Sequence, residues 1–259
     1  MTRVCVIGMG ALGLMYGTLL AASPQVRLEY VMDADRAAKY RGEAFTVNGT
    51  AHSYTITAAE EAREADIVIV AVKYPALQAA LDTMKNCVGK DTVVMSVMNG
   101  ITSEQIIKER YPEAHVIYAV AQGMDAMKFG CALQYTQYGK LFIGVADQKD
   151  RQYLQRVIDL FDETGMPYAD EENIMYRLWS KFMLNVGINQ TCMVFGQTYG
   201  EVLAPGESNR VYYAAMREVL AVARAEGIPL SEKEVAWYTD LLKTLDPDST
   251  PSRSEERRV

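Results

Sequence analysis

The chain has 259 residues, of which 49% are hydrophobic and 23% charged, and its formal net charge is -7. This length fits one large domain or two modest ones with a sizeable core. The acidic balance argues against a nucleic-acid-binding surface, which normally carries a basic patch, and no apolar run approaches the ~18 residues of a membrane span. A small-molecule partner is therefore expected, with neither nucleic acid nor membrane.

The first third alternates short apolar runs with helical patterns, which is typical of a parallel sheet covered on both faces. Strands are predicted at 3–7, 27–32, 66–72, 92–97 and 115–120, and helices at 11–22, 76–84 and 103–110. A polar stretch, 34–54, separates the second strand from the third. Residues 134–144 (QYTQYGKLFIG) alternate like antiparallel strands, a common addition to the edge of such a sheet.

From residue 151 onward the pattern becomes helical. A helix over 151–164 ends at Gly165, with Pro167 just beyond it, as helix ends usually look. Further helices are predicted at 172–195, 208–226 and 231–245, the last opened by a serine cap at Ser231 with Glu234 three residues on. A domain boundary is expected near Pro167, and the polar segment 246–259 is expected to be poorly ordered.

Cysteine and histidine usage indicates neither a metal site nor a disulfide framework. No two of the four cysteines form a C-x-x-C pair, and the sequence has two histidines. These residues are Cys5, Cys87, Cys131 and Cys192, with His52 and His115. The N-terminal residues form a strand that runs directly into a glycine turn. They lack the basic, then apolar, then small-residue segments of a secretory signal. Reduced thiols in a cytoplasmic protein without a metal are therefore expected.

A glycine turn, Gly8-Met9-Gly10-Ala11-Leu12-Gly13, joins the first strand to the first helix. In this position the first glycine permits a tight turn, the second lets the backbone approach a pyrophosphate, and the third lets helix and strand pack closely. The turn predicts a Rossmann-type dinucleotide-binding domain over 1–168, with a parallel sheet and antiparallel edge strands. An all-α substrate domain is expected over 169–259.

Asp33 follows the second strand, twenty residues after Gly13. A carboxylate there would bind both ribose hydroxyls and repel a 2'-phosphate, which favours NAD over NADP. Two alternatives stay open: Arg36 could turn toward a phosphate, and Asp33 could simply cap the helix that starts near Ala34.

An unusual polar stripe interrupts the apolar stretch WSKFMLNVGIN, residues 179–189. At ~100° per residue, steps of four place Lys181, Asn185 and Asn189 on one helical face. The stripe therefore either faces a ligand or is buried at considerable cost. A lysine ammonium could protonate a carbonyl oxygen while a hydride reduces its carbon, and asparagines can both donate to and accept from a 2-oxo acid.

Four ordered motifs resemble the ketopantoate reductase (2-dehydropantoate 2-reductase) family over roughly residues 1–252: GMGALG at the N-terminus, AVKYPAL at 71–77, MNGI at 98–101, and W-x-K-x-x-x-N-x-x-x-N at 179–189. The resemblance implies reduction of ketopantoate by NADPH to pantoate, for pantothenate and coenzyme A synthesis. Lys181 would be the general acid, and Asn185, Asn189 and Ser252 would bind the substrate. Lys73 and Asn99 would lie beside the nicotinamide, although a solvated lysine and an Asn-Gly turn are simpler explanations.

The sequence departs from the family pattern in two places. Asp33 stands where the family usually has an arginine for the 2'-phosphate, so the resemblance favours NADP(H) and this residue favours NAD(H). The chain also stops seven residues after Ser252, where the family continues to a glutamate and further helices. We therefore expect a helical domain that lacks the family's last helices, cofactor binding by the first domain, and slow turnover of ketopantoate.

Two other functions fit the same residues. One is a different short-chain 2-hydroxy or 3-hydroxy acid dehydrogenase with the same two-domain plan, since family membership does not fix a substrate. The other is a non-catalytic dinucleotide-binding protein. A homodimer would be one way to cover apolar faces of the last helices.

Overall fold

The computed structural model describes residues 1–251, so the predictions for Ser252 and for 253–259 lie outside the described part. The chain divides into two compact units, Met1–Ile174 and Met175–Val259.

The strands and helices of the first unit are β1 (Thr2–Ile7), α1 (Ala11–Ala21), β2 (Val26–Met32), α2 (Ala34–Tyr40), β3 (Phe45–Val47), β4 (Thr50–His52), β5 (Thr55–Ala58), β6 (Ile67–Val70), α3 (Leu77–Thr83), β7 (Val93–Ser96), α4 (Ser103–Arg110), β8 (His115–Met124), β9 (Met127–Phe129), β10 (Ala132–Gln134), β11 (Tyr138–Gly144), α5 (Arg151–Thr164) and β12 (Tyr168–Asp170). The main sheet of this unit has eight strands in the order β12-β11-β8-β7-β6-β1-β2-β5. All neighbouring pairs are parallel except β8 and β11, which are antiparallel. The predicted α/β class with an antiparallel addition is therefore confirmed.

Alternate residues of the central strands belong to two separate apolar cores, one on each face of the sheet. In β1, Val4 and Val6 belong to one core, and Cys5 and Ile7 belong to the other. Because side chains alternate across a strand, a strand buried on both faces must be apolar at every position. This is why the run IVIV of β6 is buried throughout.

A second sheet of four short strands, in the order β4-β3-β10-β9, was not predicted. Two of its strands, β3 and β4, lie within the stretch 34–54, for which the sequence predicted only a polar segment. The helix α2 lies in the same stretch, and β5 begins just after it. Strands of three residues are too short to show an alternating pattern. Phe45, Val47 and Leu133 nevertheless point into the core at alternate positions, so tertiary packing selects these strands.

The second unit is helical, as predicted. Its elements are α6 (Ile174–Leu184), a π-helical segment (Asn185–Asn189), α7 (Gln190–Phe195), α8 (Tyr199–Leu203), α9 (Glu207–Ala225) and α10 (Glu232–Lys243). The capping box predicted at the start of α10 is confirmed: the Ser231 hydroxyl accepts from the backbone, and Glu234 accepts from the backbone N–H of Ser231. The helix predicted over 172–195 is confirmed from Ile174 onward, and its five central residues, Asn185–Asn189, are π-helical.

The prediction of poor order is wrong for residues 246–251. The backbone N–H groups of Tyr199 and Gly200 donate to the carbonyl oxygens of Ser249 and Pro247, at 3.0 and 2.8 Å. The first N–H groups of a helix have no acceptor within the helix. The carbonyl oxygens of Ser249 and Pro247 supply acceptors for two such groups at the start of α8. Nothing in the polar composition of the tail predicts this contact.

Across residues 1–251, none of the helices has the length and apolar character needed to cross a membrane.

Candidate active site

The glycine turn has the geometry that its three roles require. Gly8 has a φ of +105°, and a Cβ there would lie 2.5 Å from the carbonyl oxygen of Ala71. A Cβ on Gly13 would overlap the carbonyl oxygen of Gly8, so only glycine allows α1 to pack this closely on the turn. A Cβ on Gly10 would have its nearest neighbour 3.8 Å away, which leaves the outer side of the turn open to a ligand.

The ends of four adjacent strands bring the predicted cofactor residues to one edge of the sheet. The register pairs Val31 of β2 with Ile7 of β1, Ile7 with Val70 of β6, and Val70 with Ser96 of β7. The residues predicted to bind the cofactor follow these strands in turn: Asp33 after β2, Gly8 after β1, Lys73 after β6 and Asn99 after β7.

This edge is where an open parallel sheet binds its ligands. The chain leaves β1 toward β2 on one side and reaches β6 on the other, so the glycine turn lies at a topological switch point. Lys73 and Asn99 are both exposed, and their contact with a cofactor stays a prediction.

Asp33 caps α2. Its Oδ1 accepts a hydrogen bond from the backbone N–H of Arg36 at 2.9 Å, and its Oδ2 lies 3.9 Å from the Nε of Arg36. The capping alternative left open by the sequence is therefore what the structure shows. The Asp33 side chain remains 57% exposed, so the cap leaves the carboxylate in contact with solvent.

A buried acid next to the Asn99 turn was not singled out from the sequence. Glu104, the second residue of α4, is 1% exposed, and burial raises its pKa to about 7. An acid in the first turn of a helix is common and usually solvated, because it complements the helix dipole. No sequence signal therefore distinguishes Glu104 from an ordinary surface acid.

The second unit holds the polar stripe. Lys181, Asn185 and Asn189 are each partly buried, and the Nδ2 of Asn189 lies 3.4 Å from the Oδ1 of Asn185. The two asparagines are thus neighbours on one face, as their spacing predicts. Burial lowers the pKa of Lys181 to about 8.

The asparagines are the first and last residues of the π-helical segment. Single π turns inside α-helices often occur at functional sites. Two features accompany this one: the Thr191 hydroxyl donates to the carbonyl oxygen of Gly187 at 2.7 Å, and a Cβ on Gly187 would lie 2.5 Å from the Cγ of Met216 in α9. The absence of a side chain at Gly187 lets α9 pack directly against the segment.

No group of three or more potential metal ligands occurs within the part of the chain that the structure describes. The chemistry available at the two sets of residues is that of an ammonium group, two carboxamides and a glycine-rich turn. The residues present fit a dinucleotide, because the outer side of the turn is open at Gly10 and the start of α1 offers free N–H groups to a phosphate.

Two family models match this chain. The model described as ketopantoate reductase PanE/ApbA matches residues 4–148, and that of the ketopantoate reductase PanE/ApbA C terminal matches residues 173–254. The chain belongs to the ketopantoate reductase PanE/ApbA family. The family resemblance inferred from the four motifs is therefore confirmed.

Individual relatives are distant in sequence. The 2-dehydropantoate 2-reductase of Streptococcus pyogenes serotype M3 is 26% identical over 239 residues, which cover 91% of this chain and 78% of that protein. The enzyme of the same name from Halobacterium salinarum is 25% identical over 240 residues, covering 90% and 78%.

Solved structures show the same fold. The ketopantoate reductase of Staphylococcus aureus, described as dimeric, matches with a TM-score of 0.79 and 22% identity, covering 98% of this chain and 84% of that one. D-mandelate dehydrogenase in complex with NADH matches with a TM-score of 0.84 and 20% identity, with the same coverage.

Proposed function

We propose that this chain is an NAD(P)H-dependent reductase that converts a branched 2-oxo acid to the corresponding 2-hydroxy acid, with ketopantoate as the first substrate to test. The observation that carries the proposal is the partly buried stripe of Lys181, Asn185 and Asn189 in a chain of this family. A cation and two carboxamides on one helical face suit an anionic substrate whose carbonyl oxygen gains negative charge during reduction.

Lys181 is the general acid of this proposal. A dinucleotide supplies the hydride when bound, and the substrate carbon receives it. The carbonyl π electrons move to the oxygen, which takes a proton from the Nζ of Lys181 and leaves the lysine neutral until solvent reprotonates it. With a pKa of about 8, Lys181 is mostly protonated at pH 7 and still a stronger acid than an ordinary lysine, which suits proton transfer near neutral pH.

The asparagines position the substrate. In the hydrogen bond between them, the Nδ2 of Asn189 donates to the Oδ1 of Asn185. That bond leaves the Nδ2 group of Asn185 and one N–H of Asn189 as donors, and the Oδ1 of Asn189 as an acceptor. These groups match the carboxylate, ketone and hydroxyl of ketopantoate. Ser252, which the family resemblance places on the substrate carboxylate, lies beyond the described residues.

The first unit supplies the cofactor residues of the proposal: Gly8, Gly10, Ala11, Leu12, Gly13, Asp33, Lys73 and Asn99. The glycine turn and the start of α1 would hold the pyrophosphate. Lys73 and Asn99, at the ends of β6 and β7, would flank the nicotinamide.

NADH is the coenzyme that Asp33 favours. Its exposed carboxylate would accept from ribose hydroxyls and repel a 2'-phosphate. The structure of D-mandelate dehydrogenase in complex with NADH is of another protein with this fold, and it supports NADH as a coenzyme that the fold accommodates. The family resemblance points instead to NADPH, so both coenzymes belong in the test.

A second candidate substrate is an aromatic 2-oxo acid, which the likeness to D-mandelate dehydrogenase suggests. A non-catalytic dinucleotide-binding protein is the remaining alternative. A cytoplasmic location, a role in pantothenate synthesis and a homodimer complete the proposal; the last is supported by the relative from Staphylococcus aureus, which is described as dimeric.

The test is a spectrophotometric assay at 340 nm of ketopantoate and of phenylglyoxylate, each with NADH and with NADPH. Lys181→Met is the active-site variant, and Lys233→Met, at an exposed position of α10, is the matched control. The proposal expects turnover by the wild type and by the control, and its loss in Lys181→Met with coenzyme affinity retained. Equal turnover by Lys181→Met and wild type would contradict the proposed general acid, and coenzyme binding without any turnover would favour the non-catalytic alternative.

A further inference from the structure

A buried chain of hydrogen bonds lies behind the loop of residues 97–102, which carries Asn99. The backbone N–H of Met98 donates to the Oγ of Ser96 at 3.3 Å, the Oγ atoms of Ser96 and Ser103 are 2.9 Å apart, and the Ser103 hydroxyl donates to the Oε2 of Glu104 at 2.8 Å. Ser96, Ser103 and Glu104 are at most 3% exposed. The chain therefore connects the end of β7, the loop and the first turn of α4.

The direction of this chain is fixed by its two ends. A backbone N–H can only donate, and each serine hydroxyl has one hydrogen to give. When Glu104 is neutral with its proton on Oε1, its Oε2 accepts the hydrogen of Ser103, and the bond between the serines then requires Ser96 to donate to Ser103. Glu104 is thus the final acceptor that orients both hydroxyls, and bonds in such chains strengthen one another.

The surroundings of Glu104 favour its neutral form. Its Oε1 is buried without a hydrogen-bond partner in residues 1–251. Burial raises the pKa of Glu104 to about 7, against the hydrogen bonds from Ser103 and from the backbone, which favour the charged form. Tyr118 faces it from β8, with Asp150 beyond; burial chiefly raises the pKa of Tyr118, and the charges of Glu104 and Asp150 add to the rise. Lys108, one turn along α4, donates to the carbonyl oxygen of Ala114. His115 is within 3.5 Å of Asp150.

We propose that Glu104 is a positioning residue: in its neutral form it anchors Ser103 and Ser96 and holds the 97–102 loop, with Asn99, in the conformation that binds the dinucleotide. Ionisation strengthens the hydrogen bond from Ser103 but places a charge in a buried site, which is costly; the site then opens to water and releases the loop. That the ligand is a dinucleotide rests on the proposed function; the role of Glu104 in holding the loop does not.

Binding of NADH at pH 6 and pH 8, followed by fluorescence, tests this proposal. If only the neutral form is competent, the dissociation constant of the wild type rises about tenfold between these pH values. Glu104→Gln, a neutral isostere that keeps an acceptor for Ser103, should bind at both pH values as the wild type does at pH 6. Glu109→Gln, at an exposed position on the same helix, should behave as the wild type does.

Hydrogen exchange at the amide of Met98 in the cofactor-free protein is an independent measurement. Its protection factor should fall between pH 6 and 8 in the wild type, stay high in Glu104→Gln and be low at both pH values in Glu104→Leu. Equal protection in all three proteins would overturn the proposal, as would the same pH dependence of NADH binding in wild type and Glu104→Gln. A chain that binds no NADH at any pH would contradict the proposed function instead, and exchange at Met98 would still decide the role of Glu104.

Discussion

The amide nitrogen of Asn189 lies 3.4 Å from the amide oxygen of Asn185, although the helix between them is π-helical. An ideal α-helix would also make residues four apart neighbours, but a π-helical segment changes the direction of every residue that follows it. The pairing of the two carboxamides therefore survives the irregularity. Each amide limits the rotation of the other, which would hold both in place for the proposed substrate.

Removal of the Asn189 side chain should weaken substrate binding more than it slows chemistry. In Asn189→Ala, the KM for the 2-oxo acid should rise about tenfold or more, because a good hydrogen bond to an anionic substrate contributes about 1.5–3 kcal/mol. Steady-state kinetics measure this, and Gln190→Ala, at the exposed neighbouring position, is the control. An unchanged KM in Asn189→Ala would remove this residue from the substrate site.

Replacement of Lys181 should lower the catalytic activity and raise the stability of the folded protein. In Lys181→Met, kcat/KM should fall by about 10²–10⁴, the usual contribution of a general acid. At pH 7 the free energy of unfolding should rise by about 1–3 kcal/mol, since burial lowers the lysine pKa from 10.5 to about 8 and each pKa unit corresponds to about 1.4 kcal/mol.

The pH dependence of both quantities follows from the same pKa. The folded state binds fewer protons at Lys181 than the unfolded state between pH 8 and 10.5, so the wild type gains stability as pH rises through this window. The stability advantage of Lys181→Met should therefore be complete below pH 8 and vanish toward pH 10.5. Over the lower part of this window kcat/KM of the wild type for ketone reduction should fall, as the acid loses its proton. Urea titrations and pH–rate profiles provide the measurements, and a gap in stability that does not change with pH would argue against a buried, titrating lysine.

Asp33→Asn separates the two roles of Asp33. Asparagine is an equally good N-cap, so the hydrogen bond to the backbone N–H of Arg36 and the stability of α2 should persist. The charge that repels a 2'-phosphate is lost, so the ratio of NADPH to NADH affinity should rise. Parallel titrations with both coenzymes measure the ratio, with Asp35→Asn, on the same helix, as the control. If the ratio does not move, Asp33 acts only as a cap.

Gly13→Ala should damage the first unit at its cofactor turn. The added methyl group would overlap the carbonyl oxygen of Gly8, and relieving the overlap requires a backbone shift of the kind that costs about 1–3 kcal/mol. The melting temperature and the coenzyme affinity should both fall. Gly206→Ala adds a methyl group whose nearest neighbour is 3.9 Å away at the N-cap of α9, so it should lower the melting temperature only by the small preference of that position for glycine over alanine and leave the coenzyme affinity unchanged. A Gly13→Ala protein with the melting temperature of the wild type would contradict close packing of α1 on the turn.

The sequence by itself determined the elements whose signals are local. The apolar strands of the main sheet, the glycine turn, the stop of α5 at Gly165 and the capping box of Ser231 with Glu234 each follow from a pattern of a few residues. The four motifs, in order, also indicated the family, which the two family models confirm. These features are predictable because turn conformation and helix capping depend on neighbours along the chain, and a strand buried on both faces is recognisable as an uninterrupted apolar run.

Only the tertiary structure decided the rest. The three-residue strands of the second sheet, the π-helical segment beside Gly187, the contact of 246–251 with α8, and the burial of Glu104 all depend on partners distant in sequence. A short strand is stable only where another strand pairs with it, and the pKa of a carboxyl depends on whatever surrounds it in space. The physical reason is the same in each case: the deciding energy comes from contacts that the linear order of residues does not display.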